Sequence, residues 1–184
     1  MNNKNELKNG LYEFINSRIK NEFLFVTISF DESCLVNKYR YTAVSFVNKE
    51  CKKFLHYLNG KIFSHAYKKS GNKMLTGFSI VEFNKQSLPH LHLILNYPNG
   101  VQFEKLKYLI EKVRKSKDEN NRFNFPSLRA DKAIDVQIGY KIDGAVSYVL
   151  KDFNLSQIIK ERSLADEYDD FNFFFNKQDL QSYI

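Results

Sequence analysis

Tryptophan is absent from this 184-residue chain, cysteine occurs twice, proline three times and glycine seven times. Two cysteines, Cys34 and Cys51, are too few for a disulfide scaffold and do not sit at zinc-ligand spacing. Each reads as a free thiol in a reducing cytoplasm, which is the expected location. No Gly- or Pro-rich linker and no internal repeat breaks the chain. No run approaches the ~20 apolar residues that a membrane span needs, so no membrane partner is expected. The opening MNNKNELKNG has no apolar stretch behind its charges, and no signal peptide is expected. No P-C-x-x-C occurs, which disfavours a zinc deaminase.

What the chain does have is aromatic and basic. It carries 17 Phe and 11 Tyr, with 43% hydrophobic and 27% charged residues, ordinary values for a globular protein with a sizeable core. The length suggests one domain over residues 1–160, followed by an acidic, aromatic tail or final helix over 161–184. The net charge of +7 is unevenly spread: the last 24 residues hold six acids and two bases, leaving the first 160 at +11. A compact body that basic suits a polyanionic partner, nucleic acid first, or else a merely solubilising surface.

Periodicity predicts helices over 6–20, 41–58 and 103–115, a short one at GAVSYVLKD (144–152) and a continuation through SQIIKERSLADEYDD. The Asn-Gly pair at 59–60 reads as a helix end. Strands are predicted at EFLFVTISF (22–30), KIFSHAYKK (61–69), TGFSIVEFN (76–84), PHLHLILNY and AIDVQI (133–138). The third and fourth look like an antiparallel hairpin. The order α-β-α-β-β-β-α-β-α-α argues for an α+β fold: a central antiparallel sheet with flanking helices, compatible with a ferredoxin-like or RNA-recognition-like sandwich.

Two of the four histidines sit one residue apart in SLPHLHLIL. In a strand His90 and His92 share one face and Leu91 and Leu93 the other. If the hairpin pairs, Glu82 reaches the imidazole face. A carboxylate between Val81 and Phe83 needs a partner or solvent. Two imidazoles and a carboxylate form an incomplete coordination shell, open to water or substrate oxygen. With no thiolate at hand, the expected cofactor is a divalent metal, Mn²⁺ or Mg²⁺. Satisfied core histidines and an edge-strand glutamate are the plain alternative. Tyr148 and Lys151, three apart, share a helix face, with Ala145 and Val149 expected to pack inward. A rim tyrosine is the ordinary alternative for Tyr148.

In order, FVTISF, LPHLHLIL and SYVLKD resemble the three motifs of HUH endonucleases, closest to the replication initiators (Rep proteins) of rolling-circle plasmids and single-stranded DNA viruses. The resemblance covers roughly residues 22–152. It implies a divalent-metal-dependent nickase of single-stranded DNA or an origin hairpin. Tyr148 would match the nucleophile, Lys151 the lysine after it, His90 and His92 the metal pair, and Glu82 a third ligand. The segment Phe25–Phe30 would be a sheet-core strand. Position 152 is Asp, not a second tyrosine, so the likeness is to the single-tyrosine class. No G-x-x-x-x-G-K-[ST] loop is present, so unwinding would fall to a host helicase, with a host polymerase following.

The implied step is in-line attack by Tyr148 on a phosphodiester, giving a 5′-phosphotyrosine link and a free 3′-hydroxyl. A phenol titrates near 10 in water, so Lys151 or the metal is expected to favour the phenolate. Lys105, Lys107, Lys112, Arg114, Lys115, Lys117, Arg122, Arg129 and Lys132 could track the backbone, and Tyr39, Tyr41, Tyr67 and Phe123 could stack on bases. Two rivals stand beside this reading. One is a single-tyrosine HUH transposase. The other is a non-catalytic RNA-recognition-like binding module, which leaves His90, His92 and Tyr148 unexplained.

Overall fold

A computed structural model of the chain describes residues 3–19, 22–30, 40–64, 73–83, 88–115, 133–150 and 171–174. The elements in chain order are α1 (Asn3–Arg18), β1 (Phe23–Ser29), α2 (Arg40–Phe63), β2 (Gly77–Phe83), β3 (Pro89–Asn96), α3 (Phe103–Lys115), β4 (Ile134–Gly139), α4 (Ile142–Val149) and β5 (Phe171–Phe174). The five strands form one sheet in the order β4-β1-β3-β2-β5, and every neighbouring pair is antiparallel. The β1-α2-β2-β3-α3-β4 stretch, with β3 inserted between β1 and β2, has the ferredoxin-like split βαβ arrangement. The fold is α+β, as the pattern of periodicities predicts.

Strand alternation divides the residues between two faces. On one, Leu24, Val26, Ile28, Leu91, Leu93, Leu95 and Val81 meet Val44, Val47, Cys51, Phe54 and Leu58 of α2 and Leu106, Ile110 and Val113 of α3, all buried. Each such side chain stabilises the fold by ~1.5–3 kcal/mol relative to exposure. On the other, Phe23, Phe78, Ile80 and Ile94 pack against Ile15 and Ile19 at the end of α1 and Val146 and Leu150 at the end of α4. This second core is smaller. It covers one end of the sheet and leaves the end bearing the histidines less enclosed.

Two expectations need correction, the helix end at Asn59-Gly60 and the strand from residue 61. α2 runs through Asn59 and Gly60 to Phe63, so residues 61–63 are helical and not the start of a strand. Asn59 is buried and its side-chain oxygen accepts the Leu75 N–H at 2.7 Å, so it ties two segments together without ending the helix. The helix stops at Ser64, whose φ of 55° is left-handed. Val146 of α4 and Leu150 just past its end are fully buried, and Ala145 packs against the same core, partly covered. Within the aromatic tail, Phe171–Phe174 is extended and pairs with β2 as an edge strand, Phe171 opposite Ile80 and Phe174 opposite Gly77. The predicted helical continuation through SQIIKERSLADEYDD and residues 65–69 of the predicted strand lie outside the described residues.

Gly77 is required by close approach. A Cβ there would run into the carbonyl of Ile94 on β3. Cys51 sits in the larger core, 2% exposed, donating its thiol proton to the Ser79 hydroxyl at 3.8 Å. Burial pushes its pKa up to about 12. The thiolate, the reactive form, is therefore scarce in the folded chain. Iodoacetamide at about pH 8 should leave Cys51 unmodified in the native protein and alkylate it on unfolding, read by peptide mapping. Native-state labelling of Cys51 at the rate of a free thiol would contradict this packing.

Candidate active site

β3 lies between β1 and β2, so a side chain on it can be reached from both neighbours. The register sets Thr27 opposite His92 and Ser29 opposite His90 on β1. On β2 it sets Glu82 opposite His90 and Ile80 opposite His92. The hydroxyls of both β1 residues meet imidazole Nδ1 atoms: Thr27 Oγ1 to His92 at 3.1 Å, Ser29 Oγ to His90 at 3.0 Å. Glu82 crosses the diagonal, and His92 Nε2 lies 2.9 Å from its Oε2. A carboxylate only accepts, so the imidazole N–H is the donor there. His92 is 4% exposed, whereas the Glu82 side chain keeps an edge in solvent.

The helix-borne phenol comes to the same place. The Tyr148 ring meets the His92 ring edge-on, centroids 5.6 Å apart at 89°, and the Phe25 ring at 6.1 Å and 78°. Phe25 in turn stacks on His92 at 5.7 Å. Each aromatic contact of this kind contributes about 0.5–1.5 kcal/mol. Tyr148 nonetheless remains 47% exposed. It is held at its flank and open to solvent elsewhere.

Position depends on how α4 is fastened. Asp143, in its first turn, accepts the Tyr12 hydroxyl at 2.6 Å and the Asn16 side-chain amide at 2.8 Å, both from α1. Val146 and Leu150 anchor the same helix below. A two-point hydrogen bond at one end and an apolar foot at the other fix the rotation of α4, and so the direction of Tyr148. The bond to Asp143 is also the main reason the Tyr12 pKa is raised.

A cleft of about 630 Å³ opens beside the nucleophile candidate, between α4 and the β1–β4 side of the sheet. Phe25, Thr27, Asp135, Gln137, Tyr140 and Tyr148 line it, with Lys141 at the start of α4. Its floor at Gly139 needs the missing side chain, since a Cβ would collide with the Phe23 ring.

Of the residues singled out from sequence, the fold brings Glu82, His90, His92 and Tyr148 onto one face. Lys151 lies outside the described residues. The segment 25–30 is not core alone: Leu24, Val26 and Ile28 are buried beneath the sheet, while Phe25, Thr27 and Ser29 face the histidines. α3 packs on the opposite side, so its Lys105, Lys107 and Lys112 do not track a strand entering this cleft. Lys112 lies over the Tyr108 ring at 5.6 Å. The side chains of Arg114, Lys115 and Tyr41 are not described, and Lys117, Arg122, Arg129, Lys132, Tyr39, Tyr67 and Phe123 fall outside the described residues. Asp135, Gln137 and the Asp143 fastening were missed. The alternation of AIDVQIG puts Asp135 and Gln137 on one face, but nothing in it says which face.

The donor set suits a divalent cation: two imidazoles fixed at Nδ1 by hydroxyls, which directs Nε2 outward, and one carboxylate. Among the described residues, however, no three His, Cys, Asp or Glu side chains converge on one point. Glu82 and His92 are in direct contact, and His90 is the strand neighbour of Glu82. The chain matches no family model, no curated protein and no solved structure. No helix among the described residues is long and apolar enough to cross a membrane.

Replacing Asp143 by Ala should lower thermal stability and broaden the motion of Tyr148, seen as loss of its contact with His92 in NMR. The Tyr12–Asp143 bond needs a protonated phenol. Because the folded pKa is raised above the ordinary 10, the contribution should be full below about pH 10 and be lost as pH rises through the raised folded value. The Tm difference between wild type and Tyr12→Phe should therefore be constant near neutrality and shrink in strong base. A difference that grows with alkalinity would contradict the bond.

Proposed function

We propose that this protein is a nicking and joining enzyme of single-stranded DNA with Tyr148 as nucleophile, of the kind that starts rolling-circle replication. The observation that carries the reading is the meeting of Tyr148 with His92 at 5.6 Å, beside a cleft, with Glu82 bonded to the same imidazole. A solvent-reachable phenol, two imidazoles and a carboxylate on one sheet face suit phosphodiester chemistry better than a binding-only sheet, which has no use for them in this order. The basic body supports a nucleic-acid partner.

In the step envisaged, the Tyr148 oxygen forms a bond to phosphorus as the bond to the 3′-oxygen breaks. The phenol loses its proton and the 3′-oxygen gains one. The phosphodiester's energy is kept in the phosphotyrosine link, so a new 3′-hydroxyl can reverse the step and join strands. Glu82, His90 and His92 would hold a divalent cation, Mn²⁺ or Mg²⁺, which when bound supplies positive charge to the phosphate oxygens. Thr27 and Ser29 fix the two imidazoles. Phe25 and the α1–α4 fastening keep the Tyr148 ring turned toward them, which is the positional part of the rate. Lys151, three residues on, is the proposed partner of the phenolate.

The test is a denaturation-resistant protein–DNA adduct formed with a randomised single-stranded pool and Mn²⁺. Tyr148→Phe should abolish the adduct and leave binding within about twofold, since losing one half-exposed hydroxyl changes ground-state binding little. His90→Ala should lose metal stimulation. Thr27→Val should weaken Mn²⁺ binding ~10–100-fold, as for a lost imidazole partner. No adduct from wild type would favour a binding module. An adduct surviving in Tyr148→Phe would point to Tyr140, 68% exposed on the same cleft. A cut-and-paste transposase shares this chemistry. Imperfect palindromes at both flanks of the gene would mark it, and a hairpin origin on a small circular replicon would mark an initiator.

A further inference from the structure

The cleft beside Tyr148 has a polarity that phosphodiester chemistry alone does not use. Asp135 and Gln137 both stand exposed on β4, an edge strand, and the Gln137 side-chain amide donates to Asp135 Oδ2 at 2.6 Å. The carboxylate can only accept, so this bond fixes the glutamine with its NH₂ toward Asp135. What remains for a guest is Asp135 Oδ1 and Gln137 Oε1, both acceptors, together with the second N–H of the Gln137 amide.

A floor that carries the Asp135 carboxylate and more acceptors than donors is a poor seat for a backbone phosphate, which is itself anionic and all acceptors. Among the described residues the cation lining this cleft is Lys141, at the start of α4. The aromatic sides, Phe25, Tyr140 and Tyr148, suit a flat ring. A volume of about 630 Å³ lies within the ~300–1,000 Å³ range of clefts that take small organic groups. A flat guest with hydrogen-bond donors on its edge, attached to a phosphate outside, is a nucleobase with an exocyclic amine.

We infer that this cleft is a base-selective subsite in which Asp135 and Gln137 accept the amine of cytosine, adenine or guanine and turn thymine away. Thymine sets two carbonyl oxygens on its edge around one N–H. Those oxygens would oppose the Asp135 carboxylate and the Gln137 carbonyl, a repulsive element as well as a missing bond. The inference rests on the nucleic-acid reading above and adds to it the identity of the base beside the reacting phosphate.

The full chain can be tested in EDTA, where no metal-dependent cleavage intervenes. Short oligodeoxycytidylate and oligothymidylate probes of about a dozen nucleotides differ chiefly in their base edges and stack similarly. Fluorescence anisotropy should show oligodeoxycytidylate bound roughly tenfold tighter, the discrimination one good base-edge contact gives. Asp135→Asn, which adds a donor at this exposed position, should bring the ratio close to one by strengthening thymidylate binding. Gln137→Leu should reduce the ratio by weakening cytidylate binding. Equal affinities in wild type, or no binding of either probe, would overturn the inference. So would a ratio unchanged in Asp135→Asn, or an equal gain for both probes, which marks simple relief of charge repulsion. A base preference that follows Asp135 while Mn²⁺ yields no Tyr148 adduct would keep the subsite and sink the nickase. An adduct without the preference would do the reverse.

Discussion

The buried imidazole of His92 is the interaction on which this face of the molecule depends. It is touched by Thr27 and Phe25 from β1, by Glu82 from β2 and by Tyr148 from α4. Four contacts from three elements leave the ring little freedom. They also make it the point through which those elements sense one another's position. Shifting β2 by one residue would turn Glu82 to the other face and remove it from this group.

The division of labour between the two sheet faces makes such a polar cluster tolerable. The face under α2 and α3 is packed with leucine, valine and phenylalanine. It supplies most of the apolar burial. The opposite face is then free to be only partly covered, by Ile15, Ile19, Val146 and Leu150 at one end. The polar end can hold imidazoles, hydroxyls and a carboxylate because they satisfy one another and because solvent reaches its rim. Polar side chains buried near α2 have partners of their own, as Ser79 has Cys51 and Asn59 has the Leu75 N–H.

Much of this was legible in the residue order. The period-two pattern of PHLHLIL fixes which side chains travel with the histidines, and the short link before it fixes the hairpin that delivers Glu82. α3 was legible to its ends, because its apolar positions keep a strict helical spacing. Where the reading failed, a local signal yielded to a distant one. Asn59-Gly60 looks like a helix end until the Leu75 N–H is there to be bonded. The aromatic run at 171–174 has no periodicity that names its partner, yet β2 offers it an open edge. Thr27 and Ser29 carried a signal, hydroxyls alternating with Val26, Ile28 and Phe30, but its meaning needs the β1–β3 register. The Tyr12–Asp143 fastening spans 131 positions and leaves no trace in local sequence.

The hydroxyl partners of the two imidazoles carry a consequence of their own. A backbone carbonyl or a carboxylate at Nδ1 would accept only, and would lock the ring into a single tautomer. Thr27 and Ser29 donate or accept the hydrogen bond by turning about one C–O bond. Each imidazole can thus exchange a protonated outward nitrogen for a lone pair with no heavy atom displaced. The same scaffold can face a carboxylate at one moment and an electrophile at the next.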